Sequence, residues 1–184
     1  MSMADLARQL PDYAKDIRLN IGSLLNEPAL GDQRKYGTLL ACAHATGHRP
    51  LIDAAEAEAG ARLSPEAANA ARAAAAIMAM NNVYYRFTHL ASNEEYRRMP
   101  ARLRMTVIGS PGIEKADFEL FCLAVSAING CGACVDSHEQ VLVQHGVSAE
   151  QIQAAVRLAA VVQAAAAVHR TLPQQVQMTV AQAA

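Results

Sequence analysis

The chain has no tryptophan, and its five tyrosines and three phenylalanines make only 4% of it aromatic. With so few large rings, the 52% hydrophobic fraction leans on alanine, which points to close-packed helices. An excess of one charge sign is also lacking. Sixteen Lys and Arg stand against 17 Asp and Glu, a formal net charge of −1, so no strong field favours nucleic acid or an anionic membrane surface. The longest apolar stretch, Leu158 to Val168, is interrupted by Gln163 and flanked by Arg157 and His169. A membrane span needs roughly 20 predominantly apolar residues, so this stretch reads as a buried helix. The N-terminus, MSMADLARQLPDYAKDI, carries Asp5 and Asp12 and lacks the basic-then-apolar layout of a signal peptide. These absences predict a soluble, cytoplasmic protein with no membrane or nucleic-acid partner. Cysteine is scarce too, with four in the chain. In that compartment a close pair of them is catalytic or metal-binding rather than part of a disulfide framework.

Apolar residues recur at helical spacing nearly throughout, and no segment sustains strand alternation, so the expected class is all-α in a single domain over 1–184. A first substantial helix is predicted from Asp12 to Leu25, stopped near Pro28. A second runs from about Gly31 to Ala45 and ends at Thr46-Gly47. A third has Pro50 in its first turn and closes at Gly60. Ser64-Pro65-Glu66 caps a long helix toward Tyr85, and Ser92-Asn93-Glu94-Glu95 a short piece before Pro100. After the turn cluster Ser110-Pro111-Gly112, one helix spans about Glu114 to Ile128 and breaks at Asn129-Gly130. The next starts around Cys131 and stops at Gly146. Ser148 and Gln151 then make a capping box for a helix to about Arg170. The tail after Pro173 offers no strong reason for order.

An offset of 83 to 84 residues aligns Ala45-Thr46-Gly47 with Ile128-Asn129-Gly130, and Ser64-Pro65-Glu66 with Ser148-Ala149-Glu150. In that register Leu51 sits opposite Cys134, and Ala55 opposite His138. The expectation is two related helical halves, with the chemically active unit at about 114–170.

That unit holds the spacing Glu119, eleven residues, Cys131, two residues, Cys134, three residues, His138. The Asn129-Gly130 break puts Cys131 at or just before a helix's first turn, with Cys134 its neighbour at i,i+3. Helical neighbours lie ~5–6 Å apart at Cβ, wider than a relaxed disulfide, so a bond between them needs local adjustment and reduces readily. The helix N-terminus favours thiolate, the reactive form. His138, one turn beyond Cys134, is placed to take and return a thiol proton. Glu119 on the preceding helix is placed to orient that imidazole or relay its proton. Which sulfur attacks stays open at this point: the helix start favours Cys131, and the i,i+4 histidine favours Cys134.

The competing reading is zinc, or a redox sensor that uses the same cysteines without turnover. Cys131, Cys134 and His138 would be ligands, with Glu119, Cys122 or His145 as the fourth. Structural zinc sites usually pair two knuckles, and no second CxxC exists. Cys42 and Cys122 lie in apolar helical stretches and read as buried small hydrophobes. His44, His48 and His145 read as helix-end caps, and His89 and His169 stand alone. Asn81-Asn82-Val83-Tyr84-Tyr85-Arg86 reads as a polar helix terminus over a tyrosine-packed core, or else as a partner contact.

With these residues in place, the sequence resembles the alkyl hydroperoxide reductase AhpD family of the carboxymuconolactone decarboxylase-like superfamily. Its active-site pattern is matched by Glu119, Cys131, Cys134 and His138. LPDYAKDIRLNI, GTLLACA, AAIMAMNNVYYR, LRMTVIG, PGIEKADFEL and AVSAING also look like family segments. The resemblance implies an all-α fold with a duplicated helical unit, assembled as a homotrimer. It implies no tightly bound cofactor. Electrons would come from the dihydrolipoyl group of a 2-oxoacid dehydrogenase subunit and pass to the peroxiredoxin AhpC, with weak direct reduction of hydroperoxides. Carried onto this chain, Cys134 would attack, Cys131 would donate a proton and resolve, and Glu119 and His138 would relay protons. One departure is visible: some members carry a second histidine just before the second cysteine, where this chain has Ala133. The superfamily's decarboxylases share the fold without the cysteine pair, so fold alone does not fix function.

Overall fold

Alanine lets helix axes approach closely, and the computed structural model, which describes residues 1–172, is built on that approach. The described residues form ten α-helices and no strand. They are α1 (Met3–Arg8), α2 (Lys15–Leu25), α3 (Asp32–Thr46), α4 (Arg49–Gly60), α5 (Pro65–Leu90), α6 (Glu95–Arg98), α7 (Thr106–Gly109), α8 (Lys115–Ile128), α9 (Gly132–Gln144) and α10 (Ala149–Thr171). Two of these, α1 and α7, have no counterpart in the sequence-based expectation; six and four residues are too few to show a helical period. Asp12 opens a single 3₁₀ turn, Asp12–Ala14, ahead of α2. The tail after Pro173 lies outside the described residues.

Helix α3 packs on α8 at the centre, and α5 and α10 each pack against both of them. Helix α4 lies beside α3, and α9 beside α8, while α1 and α2 cover the α4 and α10 side. Gly37 sets the α3–α8 approach. A Cβ there would stand 2.1 Å from Cζ of Phe121, so the ring fills the space a side chain would need. Phe118 and Phe121 are both fully buried, each stabilising the core by about 1.5–3 kcal/mol. Polar ties fix the register of the central pair. Asp117, at the start of α8 and only 7% exposed, accepts from Arg34 Nε and Gln33 Nε2, both at 2.6 Å.

The helix ends are set by their caps. Ser64 accepts from the Ala67 amide at 3.2 Å. Ser148 and Gln151 exchange both bonds of a capping box. Helix α10 is long and apolar enough, by composition, to cross a membrane. Here its apolar face is covered by α2, α3 and α8, burying Leu158, Val162 and Ala165.

Candidate active site

The site begins at the end of α8. Gly130 adopts φ of 66°, the left-handed region that glycine enters without a Cβ penalty. The Gly130 amide donates to Ala127 O at 3.2 Å, and the Cys131 amide to Ser126 O at 3.1 Å. Together these form a Schellman stop, which reverses the chain within three residues. Cys131 is thereby the N-cap of α9, just outside the helix. Cys134 lies in its first turn, and the two are joined by a disulfide with Cα atoms 5.3 Å apart, inside the range such bonds accept. The local adjustment expected from the i,i+3 spacing is this non-helical placement of Cys131.

The same reversal lays α9 against α8. His138 Nδ1 meets Glu119 Oε2 at 2.5 Å, with both residues buried. An ionised carboxylate only accepts, so Nδ1 carries the proton and Nε2 presents its lone pair on the side away from Glu119. A buried carboxylate needs partners. Besides His138, Glu119 has Lys115, whose Nζ lies 2.6 Å from Oε1 and also donates to Ile108 O at 2.5 Å. Burial works to raise the Glu119 carboxyl. Hydrogen bonds and charge from His138 and Lys115 outweigh it, holding the group below the usual carboxylate range.

Helix α5 supplies the facing wall. Met78 Sδ stands 3.2 Å from His138 Nε2 and accepts from Ser126 Oγ at 3.4 Å. Asn82 Nδ2 donates to Ser126 Oγ at 2.9 Å, Asn129 Nδ2 to Asn82 Oδ1 at 2.9 Å, and Arg86 to Asn129 O at 2.5 Å. A chain of hydrogen bonds thus runs from Met78, which stands against the imidazole, through the buried Ser126 and Asn82 to Asn129 and the exposed Arg86 at the disulfide turn. Beside it, a cavity of about 190 Å³ is lined by Met78, Asn81, Tyr85, Met105, Ile108, Ala133, Cys134 and His138. Cys134 is 6% exposed and Cys131 fully buried, so of the two cysteines only Cys134 borders this space.

All four residues singled out by spacing are therefore brought together. Lys115, Met78 and Ser126 were missed. The Lys115–Glu119 i,i+4 pair was available as a signal. Met78 reaches Ser126 and His138 across 48 and 60 residues, which no local pattern reports. The Asn81-Asn82 expectation is corrected. Helix α5 continues to Leu90, and both asparagines are buried inside it, facing α8 and the cavity rather than ending the helix.

The remaining histidines and cysteines resolve individually. His44 does not cap α3 but reaches Glu56 Oε1 at 2.8 Å. Nor does His48 cap the end of α3: its Nε2 is buried without a hydrogen-bond partner among the described residues, and its ring stacks on His169 with centroids 5.7 Å apart. His169, read as solitary, is buried and bonded to Leu6 O at 3.2 Å. His145 bonds Val141 O at 2.8 Å at the end of α9. Cys42 and Cys122 are free and fully buried. Burial pushes both thiols up, and at Cys122 the Glu119 charge adds to it. Neither is a ready thiolate. Among the described residues, no three His, Cys, Asp or Glu side chains gather as metal ligands.

An all-helical scaffold carrying a cysteine pair at a helix start, backed by a buried carboxylate–imidazole pair, defines a thiol–disulfide class of site. Residues 94–174 match the carboxymuconolactone decarboxylase family. Over 171 residues the chain is 70% identical to the alkyl hydroperoxide reductase AhpD of Rhizorhabdus wittichii, covering 93% of this chain and 99% of that protein. It is 66% identical to the AhpD of Hyphomonas neptunium over 168 residues, 91% of this chain and 93% of the relative. The corresponding protein of Methylocella silvestris is 63% identical over 166 residues, covering 90% and 93%. The chain belongs to the alkyl hydroperoxide reductase AhpD family.

Proposed function

We propose that the protein is an antioxidant thiol–disulfide oxidoreductase that cycles Cys131 and Cys134 between dithiol and disulfide to remove hydroperoxides. The observation that carries this reading is the Cys131–Cys134 disulfide, with only Cys134 of the pair at a cavity and the Glu119–His138 pair beside it. The relatives' shared description as alkyl hydroperoxide reductases supports it.

In the reductive half, a dithiol of the dihydrolipoyl class sends a thiolate to the Cys134 sulfur. A mixed disulfide forms there, and Cys131 leaves as a thiolate. Cys131 sits at the α9 N-terminus, whose free N–H groups and positive dipole end stabilise that charge. The donor's second thiol then closes its own disulfide and releases Cys134. In the oxidative half, Cys134 passes its proton to His138 Nε2 and attacks a hydroperoxide or the disulfide of a partner peroxiredoxin such as AhpC. Cys131 closes the disulfide. Glu119 holds the imidazole by Nδ1 and stabilises its cationic form, and Lys115 keeps that carboxylate ionised. Cys131 is fully buried and offers an attacking group no approach, which supports Cys134 as the sulfur that meets substrate.

The lipoylated subunit of a 2-oxoacid dehydrogenase as donor, a homotrimeric assembly and a cytoplasmic location belong to the same proposal. So does the origin of the scaffold in a duplicated helical unit. It is supported by the related placement of α3, α4, α5 and α8, α9, α10, with the central α3–α8 pair joined by Arg34 and Asp117, 83 positions apart. The test is peroxide-dependent oxidation of dihydrolipoamide by the purified protein, with and without chelator, beside a metal analysis. Metal-independent turnover lost in Cys134→Ser is the expected result. No turnover, with one tightly held zinc per chain, would make the cysteines ligands instead.

A further inference from the structure

Asn81 and Asn82 are adjacent, both buried, and differ in one respect. Asn82 is fully engaged, donating to Ser126 and accepting from Asn129. The carboxamide oxygen of Asn81 is buried and has no hydrogen-bond partner among the described residues. Asn81 is 4% exposed, and it lines the cavity shared by Cys134 and His138. Buried polar atoms are almost always paired, because leaving one unpaired forfeits its hydration without return. Of the residues with such an atom among those described, Asn81 is the one that lines the cavity at Cys134 and His138, where a ligand can supply the missing partner.

The rest of the cavity says what kind of ligand. Met78, Met105, Ile108 and Ala133 give apolar walls, and polar groups come only from Asn81, Tyr85, Cys134 and His138. About 190 Å³ far exceeds the space of one or two waters, at ~30 Å³ each in the liquid. The site therefore suits a molecule with an alkyl arm and one small polar head that donates a hydrogen bond. Among the substrates of the proposed reaction, an organic hydroperoxide has that form.

Resting on that functional reading, we propose that Asn81 is the substrate-binding residue that holds the peroxide head of an alkyl hydroperoxide over the Cys134 sulfur. The Oδ1 atom accepts from the terminal O–H, and Nδ2 donates to the carbon-bearing oxygen. The Cys134 thiolate attacks the terminal oxygen. The S–O bond forms as the O–O bond breaks, the sulfur is oxidised to a sulfenic acid, and the peroxide is reduced. The departing alkoxide takes a proton from the His138 imidazolium and leaves as the alcohol. Cys131 then displaces water from the Cys134 sulfenic acid, and the disulfide closes. The Nδ2 bond strengthens as charge builds on the departing oxygen, so it lowers the barrier as well as holding substrate.

The two half-reactions separate this role from a structural one. Reduced wild-type protein and Asn81→Leu and Asn81→Ala variants are mixed with cumene hydroperoxide, and disulfide formation is followed by stopped flow. The oxidised forms are separately mixed with dihydrolipoamide. The expected result is a loss on the order of 10- to 100-fold in the oxidation rate constant of both variants. Reduction by dihydrolipoamide stays within about twofold of wild type, and the melting temperature of Asn81→Leu is unchanged or higher, since no native bond is removed. Oxidation at the wild-type rate overturns the role of Asn81 alone. So does a lowered melting temperature, or an equal loss in both half-reactions. A wild-type protein that dihydrolipoamide reduces but cumene hydroperoxide does not oxidise overturns the role of Asn81 and leaves the partner-disulfide route; one that neither reagent turns over overturns the functional reading itself.

Discussion

The turn from α3 into α4 and the turn from α8 into α9 are built alike. Gly47 and Gly130 each stop a helix at φ of 66°. The side chains around the two turns differ. At matching positions 83 residues apart stand Tyr36 and Glu119, Leu51 and Cys134, and Ala55 and His138. On the flanking helices, Met78 and Asn81 of α5 match Val162 and Ala165 of α10 at an offset of 84. The first-half set is apolar apart from one tyrosine hydroxyl, and Leu51, Ala55 and Ala165 are fully buried. Covering also differs. Helix α1 packs on α4, and its Leu6 carbonyl takes a hydrogen bond from His169 of α10. In the second half, α5 lies directly on α9, and a cavity remains at Cys134. One helix arrangement thus serves as core where apolar side chains and a covering helix fill it, and as a reactive site where polar groups replace them.

The largest expected effect falls on the reactive side of that comparison. Cys134→Ser should cut turnover by about 10³-fold or more with the fold intact, read by peroxide-dependent dihydrolipoamide oxidation and a thermal melt. Full activity in that variant would remove Cys134 from the mechanism. The matching residue should behave oppositely. Leu51→Ala should cost about 2–5 kcal/mol of stability by leaving a cavity, while turnover per folded molecule is unchanged. A urea titration showing a cost well under ~1 kcal/mol would mean that Leu51 is not core filling.

Glu119→Gln should slow turnover by about 10- to 100-fold without unfolding the protein, since it removes the orienting charge from His138 but keeps the shape. The sign of its pH effect is set by a carboxyl held below the usual range. The ionised form is the working one, so activity and the stability it adds are present above the ordinary carboxylate pKa. Both are lost as acidity reaches the depressed folded value. Bulk proton titration at neutral pH therefore belongs to other groups.

In the first half, the Glu56 carboxyl is drawn down to about 2 by its hydrogen bond from Arg72, against opposing burial and with help from His44. Glu56 therefore contributes stability that is complete above its unfolded pKa near 4.5 and fades as pH falls toward about 2. Glu56→Gln should flatten that acid limb in pH-dependent melts and leave the redox cycle alone. The smallest effects are expected at the buried thiols. Cys42→Ser and Cys122→Ser should change turnover by less than about twofold. A large loss with the fold preserved would bring one of them into the cycle.

Much of this was readable in the chain because it rests on local rules. Ser64, Ser148-Gln151, Gly47, Gly130 and Gly146 punctuate helices through bonds to their own neighbours. The Glu119, Cys131, Cys134 and His138 set was readable because the turn carries one helix back along the other. The short α1 and α7, the Met78 contact and the role of Asn81-Asn82 were not readable. Each depends on what lies opposite, and asparagine on a helix has the same spacing whether it meets solvent, Ser126 or the wall of a cavity.

By itself, then, the sequence determined the all-α class, the capped and glycine-stopped helix ends and the residue types of the dithiol site, since these derive from backbone preferences and spacings of a few residues. Only the tertiary structure decided that Cys134 and not Cys131 borders a cavity. It also decided that Glu119 is held ionised by Lys115 as well as His138, and that one asparagine of an adjacent pair is left unpartnered. The physical reason is that burial and hydrogen-bond satisfaction are properties of the surroundings, supplied here by α5, α7 and α8 from distant parts of the chain.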